Sequence, residues 1–528
     1  MPGMKKRTSP RCEVGRSHSP PCKGGVGGGS MPGDTAVSST TRPYRVPPPT
    51  PSPSLSGRGA IALAILALAA CTPPDTRPEL TQRTPADLAL AGAPTPAIDP
   101  SWWTAFGDPQ LDRIVADAFA GSPDLDAALA RVRQAQATLA RRDAETGPEL
   151  TGDGNAQLAR LSGRYTIPPP FAGSVRSLSN AQANLSWNLD LFGRQRAALD
   201  GARASLAAAQ FEIDAARLLL AGSIVTTYAE VARAERIAAI ARATIATRER
   251  AVRLVDVRVR NKLASKLDAQ AATTLFAQAR VALTRAAAAR TLATDALAAL
   301  AGRGVDYPAS IGATHLAEPT ALALPTTIPA DLLARRADIA AAAARIDAAA
   351  AGRQVARRAF YPDVNLVALA GLQAVGIGNF FDPAAGTLGA GGAFHLPIFD
   401  SGQLKADLAG ATAAVDIAIA DYNRIVVGAV RDTADALAQI AATRAEAQAQ
   451  AAVVRGFAET NRLNAIRIAA GLDSRLTGID TDIRLLDAQL AQANLAVDAL
   501  AARARLAQAL GGGFDPARNS PPSRTPAP

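Results

Sequence analysis

The chain has 528 residues and a formal net charge of +10, from 56 lysines and arginines against 46 aspartates and glutamates. Residues 1–70 hold 9 of the basic and 2 of the acidic residues, so the remainder carries 47 against 44 and is nearly neutral. This balance removes the main argument for a nucleic-acid partner, which would need a basic surface.

The first 70 residues are predicted to be a leader that is removed rather than folded. Residues 1–56 are rich in Pro, Gly, Ser and Arg without apolar periodicity, which is typical of a segment that cannot bury a core. Arg58 then precedes the apolar run Ala60–Ala70. That run is too short to span a bilayer and is typical of a signal peptide.

The apolar run ends in Leu68-Ala69-Ala70-Cys71, which resembles a bacterial lipobox. The resemblance implies that Cys71 receives an S-diacylglycerol and an N-palmitoyl chain, and Thr72 in place of Asp implies retention in the outer membrane. The alternative is a plain signal peptide with an incidental cysteine.

Few residues remain for chemistry after processing. Cys12 and Cys22 leave with the leader, and His315 and His395 are the two remaining histidines. Because isolated histidines and no free thiol make a poor metal or nucleophile site, we expect no enzyme, no catalytic residue, no metal and no cofactor other than the lipid.

The chain after the leader is predicted to contain two copies of one structural repeat. Residues 71–100 are rich in Pro, Thr and Ala and indicate an extended, lipidated tether. The first repeat spans 101–320, with strands at about 149–190 and a helical arm at about 193–301. The second spans 321–513, with strands at about 363–399 and an arm at about 402–511. Residues 514–528 are interpreted as a disordered tail.

Each repeat begins with a helix, predicted from the cap Ser122-Pro123-Asp124 to about Ala144 and again over Ala337–Ala359. Each arm is a long helical hairpin, since no proline lies between Phe171 and Tyr307 or between Ile398 and Asp515. The ascending limbs, Arg194–Arg260 and Gln403–Ala470, would each be about 100 Å long. Residues of the first arm recur in the second at a constant offset, which indicates an internal repeat.

Between helix and arm, side chains alternate as in β-strands. Polar Gln182 and Asn184 face one way, and apolar Ala183, Leu185 and Trp187 the other. Such segments fit transmembrane β-strands, with a half-buried hairpin of a soluble domain as the alternative. Since four strands leave open edges that lipid cannot satisfy, the subunits must oligomerise. Two subunits would give eight strands, and three would give twelve and a possible lumen.

Several segments resemble the TolC-like outer membrane efflux proteins, in the lipoprotein branch that serves tripartite pumps of the RND type. They cover nearly all of residues 101–513 in the family's order: Trp102-Trp103, Phe106 and Asp108; Trp187–Arg194; Ile328–Ile339; Phe360-Tyr361-Pro362; and Pro397–Gly402. Two positions depart from the family pattern. Ala337 stands where the family usually has Pro, and Lys262 where it often has Gly.

The resemblance implies a homotrimer that is mainly α with a membrane β-part. Twelve strands would form a barrel in the outer membrane, and twelve helices would continue it as a periplasmic tunnel. The function implied is a passive exit duct for solutes delivered by an inner-membrane pump through a periplasmic adaptor. The alternative is that the chain is itself such an adaptor lipoprotein, although an adaptor carries one hairpin rather than two arms.

The resemblance also implies that the hairpin tips dock the adaptor, and exposed leucines there would suit a partner surface. A role in holding each hairpin together is the alternative for any one leucine. Asp473 is a candidate pore constriction, or else an ordinary solvated turn carboxylate. The candidate docking residues are Leu263, Ser265, Leu267, Gly471, Leu472, Ser474, Arg475 and Leu476.

Overall fold

The computed structural model describes residues 73–90, 98–164, 170–317, 328–329, 331–399 and 401–515, all within one compact unit, Leu63–Pro528. Cys71 and residues 516–528 lie outside the described residues. The helices are α1 (Pro109–Gly121), α2 (Pro123–Ala144), α3 (Arg194–Arg260), α4 (Lys266–Leu300), α5 (Ala337–Arg358), α6 (Ser401–Ala469) and α7 (Arg475–Ala509). The strands are β1 (Glu149–Arg160), β2 (Val175–Asn188), β3 (Asp363–Val375) and β4 (Gly386–His395).

The two arms have the predicted form. The first limb, α3, is one helix of 67 residues, and the second, α6, is one of 69. Each limb is thus about 100 Å long. Each returns through a helix of 35 residues, α4 or α7. Alanine supports these lengths because it is the strongest helix former and lets neighbouring helices approach closely.

The far turns of the two arms share one backbone geometry. Lys262 has a left-handed φ of 58°, and Gly471, its counterpart in the second arm, has a φ of 72°. A left-handed conformation strains a residue with a Cβ and suits glycine, so the first turn carries a strain that the second avoids. Each return helix then begins with a serine cap, Ser265 for α4 and Ser474 for α7.

The helices pack as two rows that share the long limbs. In the row nearer the sheet the order is α2, α3, α5, α6, and in the row nearer the tips it is α4, α3, α7, α6. Within each row, the described helices at the two ends pack extensively against one neighbour each. Val281 and Leu292 are exposed on α4, and Ile417 and Val427 on α6.

A compact core surrounds the middle of α3. It includes Trp102, Phe106 and α1, a helix that the sequence analysis did not predict. Asp108 caps α1 by accepting the Gln110 N–H at 3.0 Å, and its other oxygen accepts the Tyr228 hydroxyl at 2.7 Å. The core fixes the two rows of helices to each other where the return limbs end.

Each return helix ends against the start of a short helix: α4 ends at the start of α2, and α7 ends at the start of α5. Gly302 and Gly511 follow α4 and α7 with φ of 63° and 90°. A Cβ on Gly302 would lie 1.8 Å from the Gly121 carbonyl oxygen, and one on Gly511 would lie 1.8 Å from the Arg335 carbonyl oxygen. Only glycine fits these positions, so the return limbs and short helices meet almost end to end.

The sheet is antiparallel in the order β1-β2-β3-β4, and β1 and β4 are its edges within the described residues. The strands were predicted to reach about 190 and 399, yet β2 ends at Asn188 and β4 at His395. Pro397 has no N–H to donate to a ladder, which accounts for the early end of β4.

The chain at both ends of the described region is more ordered than predicted. Residues 73–90, interpreted as part of an extended tether, lie along α5 and α6 and hydrogen-bond to them. At the other end, Phe514 packs edge-on against Phe211 with ring centroids 5.8 Å apart. The ordered chain therefore continues at least to Phe514, a residue that the composition places in the tail.

Among the described residues, no helix is both long enough and apolar enough to cross a membrane.

Candidate functional site

One face of the sheet is apolar over most of its height. The strand register places Leu185 beside Leu150 and Ala368, and Ala370 beside Leu388. Between the levels of Leu150 and Leu158, the described strands carry no charged side chain on this face. Its residues are Leu150, Gly152, Gly154, Ala156, Leu158, Ser177, Ser179, Ala181, Ala183, Leu185, Trp187, Val364, Leu366, Ala368, Ala370, Leu372, Ala374, Gly386, Leu388, Ala390, Gly392 and Phe394.

Along β2, this apolar face is the more exposed one. Along β2, Ala183, Leu185 and Trp187 are exposed, whereas the polar residues between them are half-buried. A sheet in water shows the reverse pattern, since its apolar side packs on a core. The burial pattern therefore fits a lipid-facing sheet and disfavours the hairpin of a soluble domain.

The other face carries mostly amides and hydroxyls on β1 and β2, and β3 adds the exposed Val367 and Leu369 to it. Asn184 donates to the Asp153 carboxylate at 2.7 Å, and Asn188 donates to Asp363 at 2.6 Å. Asn180 stands between Asn155 and Gln373 in the register. These groups can exchange hydrogen bonds with water, as the inner wall of a transmembrane barrel does.

The long limbs start directly below the sheet. Asp190 lies in the loop between β2 and α3, and its carboxylate accepts the N–H groups of Gln195 and Arg196 in the first turn of α3, both at 2.9 Å. Phe192 stacks on Tyr361 with ring centroids 5.3 Å apart. These contacts join the first arm to the sheet, so that any passage through the sheet continues along its helices.

Polar contacts tie three helices together on the way to the tips. Arg250 on α3 donates to Asp482 on α7 at 3.1 Å, and Asn461 on α6 donates to the same carboxylate at 2.7 Å. This cluster was not predicted from the sequence. No local signal could have revealed it, because Arg250 and Asp482 are 232 residues apart in the sequence.

The tips present three of the four predicted leucines to solvent. Leu263, Leu267 and Leu472 are 67%, 76% and 70% exposed. Leu476 was expected to be exposed as well, but it is half-buried and lines a cavity of about 340 Å³ with Ile479. It lies on the side of α7 that faces the first hairpin.

The remaining tip candidates shape the turns. Ser265 accepts the N–H of Asp268, and the Asp268 carboxylate accepts both the N–H and the hydroxyl of Ser265 at 2.8 Å. These bonds from Ser265 lower the pKa of Asp268. Ser474 accepts the Thr477 N–H at 3.2 Å, and Arg475 is exposed on the first turn of α7.

Asp473 is bound within its own turn. Its carboxylate accepts the Ser474 N–H at 2.7 Å and lies 3.5 Å from Arg467. The hydrogen bond from the Ser474 backbone, followed by contacts with Thr477 and Arg467, lowers the pKa of Asp473. The carboxylate therefore stays charged at neutral pH.

The two histidines and the buried tyrosines do not form a reactive cluster in the described residues, where no group of three or more His, Cys, Asp or Glu could hold a metal ion.

Burial, with the hydrogen bond to Asp108, raises the pKa of the Tyr228 phenol. Burial and the hydrogen bond to Asp117 raise that of Tyr307 to about 12. Both phenols thus stay neutral and hold the core around α3.

The fold and the sheet define a class: an outer membrane channel protein, with a small antiparallel sheet continued by long helical hairpins. The profile of the family described as "Outer membrane efflux protein" matches residues 114–303 and 328–512. The chain belongs to this family and is the outer membrane component of an efflux system.

Similar proteins agree with this assignment. Pyoverdine export outer membrane protein OpmQ of Pseudomonas putida is 33% identical over 458 residues, covering 85% of this chain and 96% of that protein. Multidrug resistance outer membrane protein MdtQ of Escherichia coli O157:H7 is 29% identical over 464 residues, with the same coverages of 85% and 96%. Outer membrane protein VceC of Vibrio cholerae matches with a TM-score of 0.73 and 32% identity, covering 79% of this chain and 100% of that one. The alternative of a periplasmic adaptor is not supported.

Proposed function

We propose that three copies of this chain close into a twelve-stranded barrel and a twelve-helix tunnel, which together form a passive exit duct. The observation that carries the proposal is that one chain is open at matching places. Its sheet has edges at β1 and β4, and its helical rows end at α2, α4 and α6.

Closure by identical copies would satisfy both kinds of edge at once. Backbone groups on β1 and β4 have no water to bond to inside lipid, so each edge needs a strand. The exposed Leu292 on α4 and Ile417 on α6, 70% and 64% exposed, would be covered by the adjoining subunit's helices. A ring of two would give eight strands, whose interior side chains fill. Three therefore suit a duct.

The proposal includes a periplasmic adaptor that docks at the tips and connects the duct to an inner-membrane pump. Leu263 and Leu472 support it because they are mostly exposed and so contribute little to their own hairpins. Burial of exposed leucines by a partner would give it a hydrophobic contact on each arm.

The test replaces both tip leucines with aspartate, Leu263→Asp and Leu472→Asp, in the full chain. Efflux in cells is expected to fall at least tenfold, with the trimer and its amount in the outer membrane unchanged. The control is Val305→Asp, a residue 94% exposed in the loop after α4, which should keep full efflux. Full efflux in the tip variant would refute docking through these residues.

A lipid anchor on Cys71 also belongs to the proposal, and mass spectrometry of the mature N-terminal peptide tests it. The proposal also includes a constriction at Asp473, whose carboxylate is held in its turn by the Ser474 N–H and Arg467. Asp473→Asn should lower cation preference in single-channel recordings if three such groups face the pore.

The names of relatives indicate that the transported solute is not set by this fold. OpmQ of Pseudomonas putida is named for pyoverdine export, and FusA of Burkholderia cepacia for fusaric acid resistance. A conduit needs only to pass what the pump delivers, so we propose that selection takes place in the pump.

A further inference from the structure

The end of the sheet that lies away from the helices carries an excess of arginine. Residues 154–189 contain Arg160, Arg164 and Arg176 and no aspartate or glutamate. The loop between β3 and β4 adds one carboxylate at this end, Asp382. Since the long helices leave from the opposite end of the sheet, this end faces the outside of the cell. It carries three positive charges against one negative charge.

Arg160 lies on the apolar face of the sheet. It is the last residue of β1 and follows Leu158 by two residues, and alternate residues of a strand share a face. Its register partner is Val175, two residues before Ser177 on the same face of β2. Leu158 and Val175 are 77% and 57% exposed. The arginine is therefore flanked by apolar side chains on the surface that faces lipid.

The height of Arg160 matches the headgroups of the outer leaflet. The apolar face reaches the level of Leu158, which is paired with Ser177. Two residues of strand at about 3.3 Å each, with a tilt of about 40°, place Arg160 about 5 Å beyond that level. At this depth the aliphatic part of an arginine lies against acyl chains while its guanidinium reaches polar groups.

The turn around Gly173 brings Arg164 towards Arg160. The Arg160 Nε donates to the Gly173 carbonyl oxygen at 3.4 Å. Gly163, which precedes Arg164, approaches the same residue, since a Cβ on Gly163 would lie 3.9 Å from the Gly173 nitrogen. The Gly173 N–H donates to the Leu161 carbonyl oxygen at 2.9 Å and fixes this turn. Both arginines are exposed, so two positive charges share one small area of surface.

The chain does not neutralise these two charges itself. Among the described residues, neither Arg160 nor Arg164 forms an ion pair. Asp153, the acidic residue before them on β1, is bonded to Asn184 on the other face of the sheet. Asp382 accepts the N–H of Ala384 in its own loop. Even when a neighbouring subunit brings its Asp382 to the edge at β1, one carboxylate cannot balance the arginines.

We propose that Arg160 and Arg164 bind the phosphate groups of lipopolysaccharide, the phosphorylated glycolipid of the outer leaflet. Arginine suits this ligand because its planar guanidinium donates two parallel hydrogen bonds to a phosphate. Basic residues grouped at a membrane surface hold anionic headgroups. The site fastens the outward rim of the sheet to the outer leaflet. The inference rests on the lipid-facing sheet of the proposed duct.

Arg176 provides a matched control on the same hairpin. It is also exposed, but it lies opposite Ala159 on the polar face of the sheet. Its guanidinium lies 5.6 Å from the centroid of the Phe171 ring and donates to the Ser174 hydroxyl at 3.3 Å. Replacing Arg176 removes the same charge at nearly the same depth and leaves the lipid-facing surface intact.

The test measures the affinity of purified lipid A, the phosphorylated lipid part of lipopolysaccharide, for the full chain in detergent by native mass spectrometry. Arg160→Gln/Arg164→Gln should weaken binding at least tenfold, and Arg176→Gln by less than twofold. Lipid A without its phosphates should bind the native chain at least tenfold more weakly. Arg160→Lys/Arg164→Lys should bind with an intermediate affinity, because lysine keeps the charge and loses the paired hydrogen bonds.

Two results would overturn the site. The first is an equal affinity of lipid A for the native chain and for Arg160→Gln/Arg164→Gln, or an equal affinity of the native chain for lipid A with and without phosphates. The second is an ion pair between Arg160 and Asp382 of a neighbouring subunit. In that case Asp382→Asn and Arg160→Gln would lower the yield of assembled protein by the same factor in detergent free of lipid A.

Efflux in cells reports the duct separately from this site. Native efflux by Arg160→Gln/Arg164→Gln with unchanged affinity for lipid A would refute the lipid site and leave the duct standing. Loss of the duct itself would instead appear in the native chain, as a failure to form a channel in vesicles that contain no lipopolysaccharide.

Discussion

An arginine placed on either face of the sheet distinguishes a lipid-facing from a lumen-facing side chain. Leu185→Arg puts a guanidinium on the apolar face, beside Leu150 and Ala368. Asn184→Arg puts the same group one residue away on the polar face. The two variants have the same charge and lie at nearly the same depth in the membrane. They differ in the face of the sheet that carries the arginine.

The depth of each residue in the membrane follows from its position along β2. The apolar face of β2 runs from Ser177 to Trp187, ten residues of about 3.3 Å each. At a tilt of about 40° this gives a height of about 25 Å, which equals the apolar band of a transmembrane barrel. Its midpoint is Gln182, so Leu185 lies about 8 Å from the midplane.

The expected magnitudes differ accordingly. An arginine on the lipid face costs about 2–4 kcal/mol at the midplane and about 0–1 near the interface. Leu185→Arg should therefore cost about 1–3 kcal/mol per subunit, and Ala181→Arg, next to the midpoint, about 2–4 kcal/mol. Asn184→Arg should cost less than about 1 kcal/mol, because the Asp153 carboxylate bonded to Asn184 at 2.7 Å can pair with the new guanidinium.

The assay is the urea dependence of folding into lipid vesicles, with the yield of heat-modifiable trimer from outer membranes as a second readout. Ala181→Arg should lower both more than Leu185→Arg, and Asn184→Arg should resemble the native chain. Equal losses for Leu185→Arg and Asn184→Arg would mean that the assignment of the two faces is wrong.

Three further predictions concern the turns. Lys262→Gly should stabilise the first tip by about 0.5–1 kcal/mol by relieving a left-handed residue, and Gly471→Lys should destabilise the second by a similar amount; hydrogen exchange at each turn measures both. Gly511→Ala should cost about 3 kcal/mol from overlap with the backbone and a strained φ, while Gly456→Ala, where a Cβ meets no atom within 4 Å, should be neutral or stabilising in urea unfolding. The lowered pKa of Asp268 means that its carboxylate stabilises the start of α4 above pH about 4 and loses this effect as the pH falls through the folded-state pKa; amide exchange there, corrected for intrinsic rates, should be faster at pH 3 than at pH 5.

The sequence by itself determined the long-range plan of the chain. The proline-free stretches predict the limbs, and the predicted Arg194–Arg260 has the same bounds as α3. The alternation around Leu185 predicts the sheet faces, which the strand register confirms. Both signals are local: a helix and a strand each impose a fixed period on their own side chains, so the period can be read without knowing the neighbours.

One missed element had a local signal that could have revealed it. Asp108-Pro109 is a cap followed by proline at the first helical position, and Leu111, Ile114, Val115 and Ala118 repeat at helical spacing and are all buried. These features predict α1. The helix is short and precedes a longer one, which made the boundary between them at Ser122 easy to overlook.

Only the tertiary structure decided which surfaces are occupied. Composition suggested a free tether over residues 73–90, yet Asp416 and Asn423 bind its main chain. Leu476 has the same sequence signature as Leu472, but it is half-buried and lines the cavity beside the first hairpin. Each of these outcomes depends on a partner more than 200 residues away along the chain, and a periodic pattern records which face is apolar without recording what covers it.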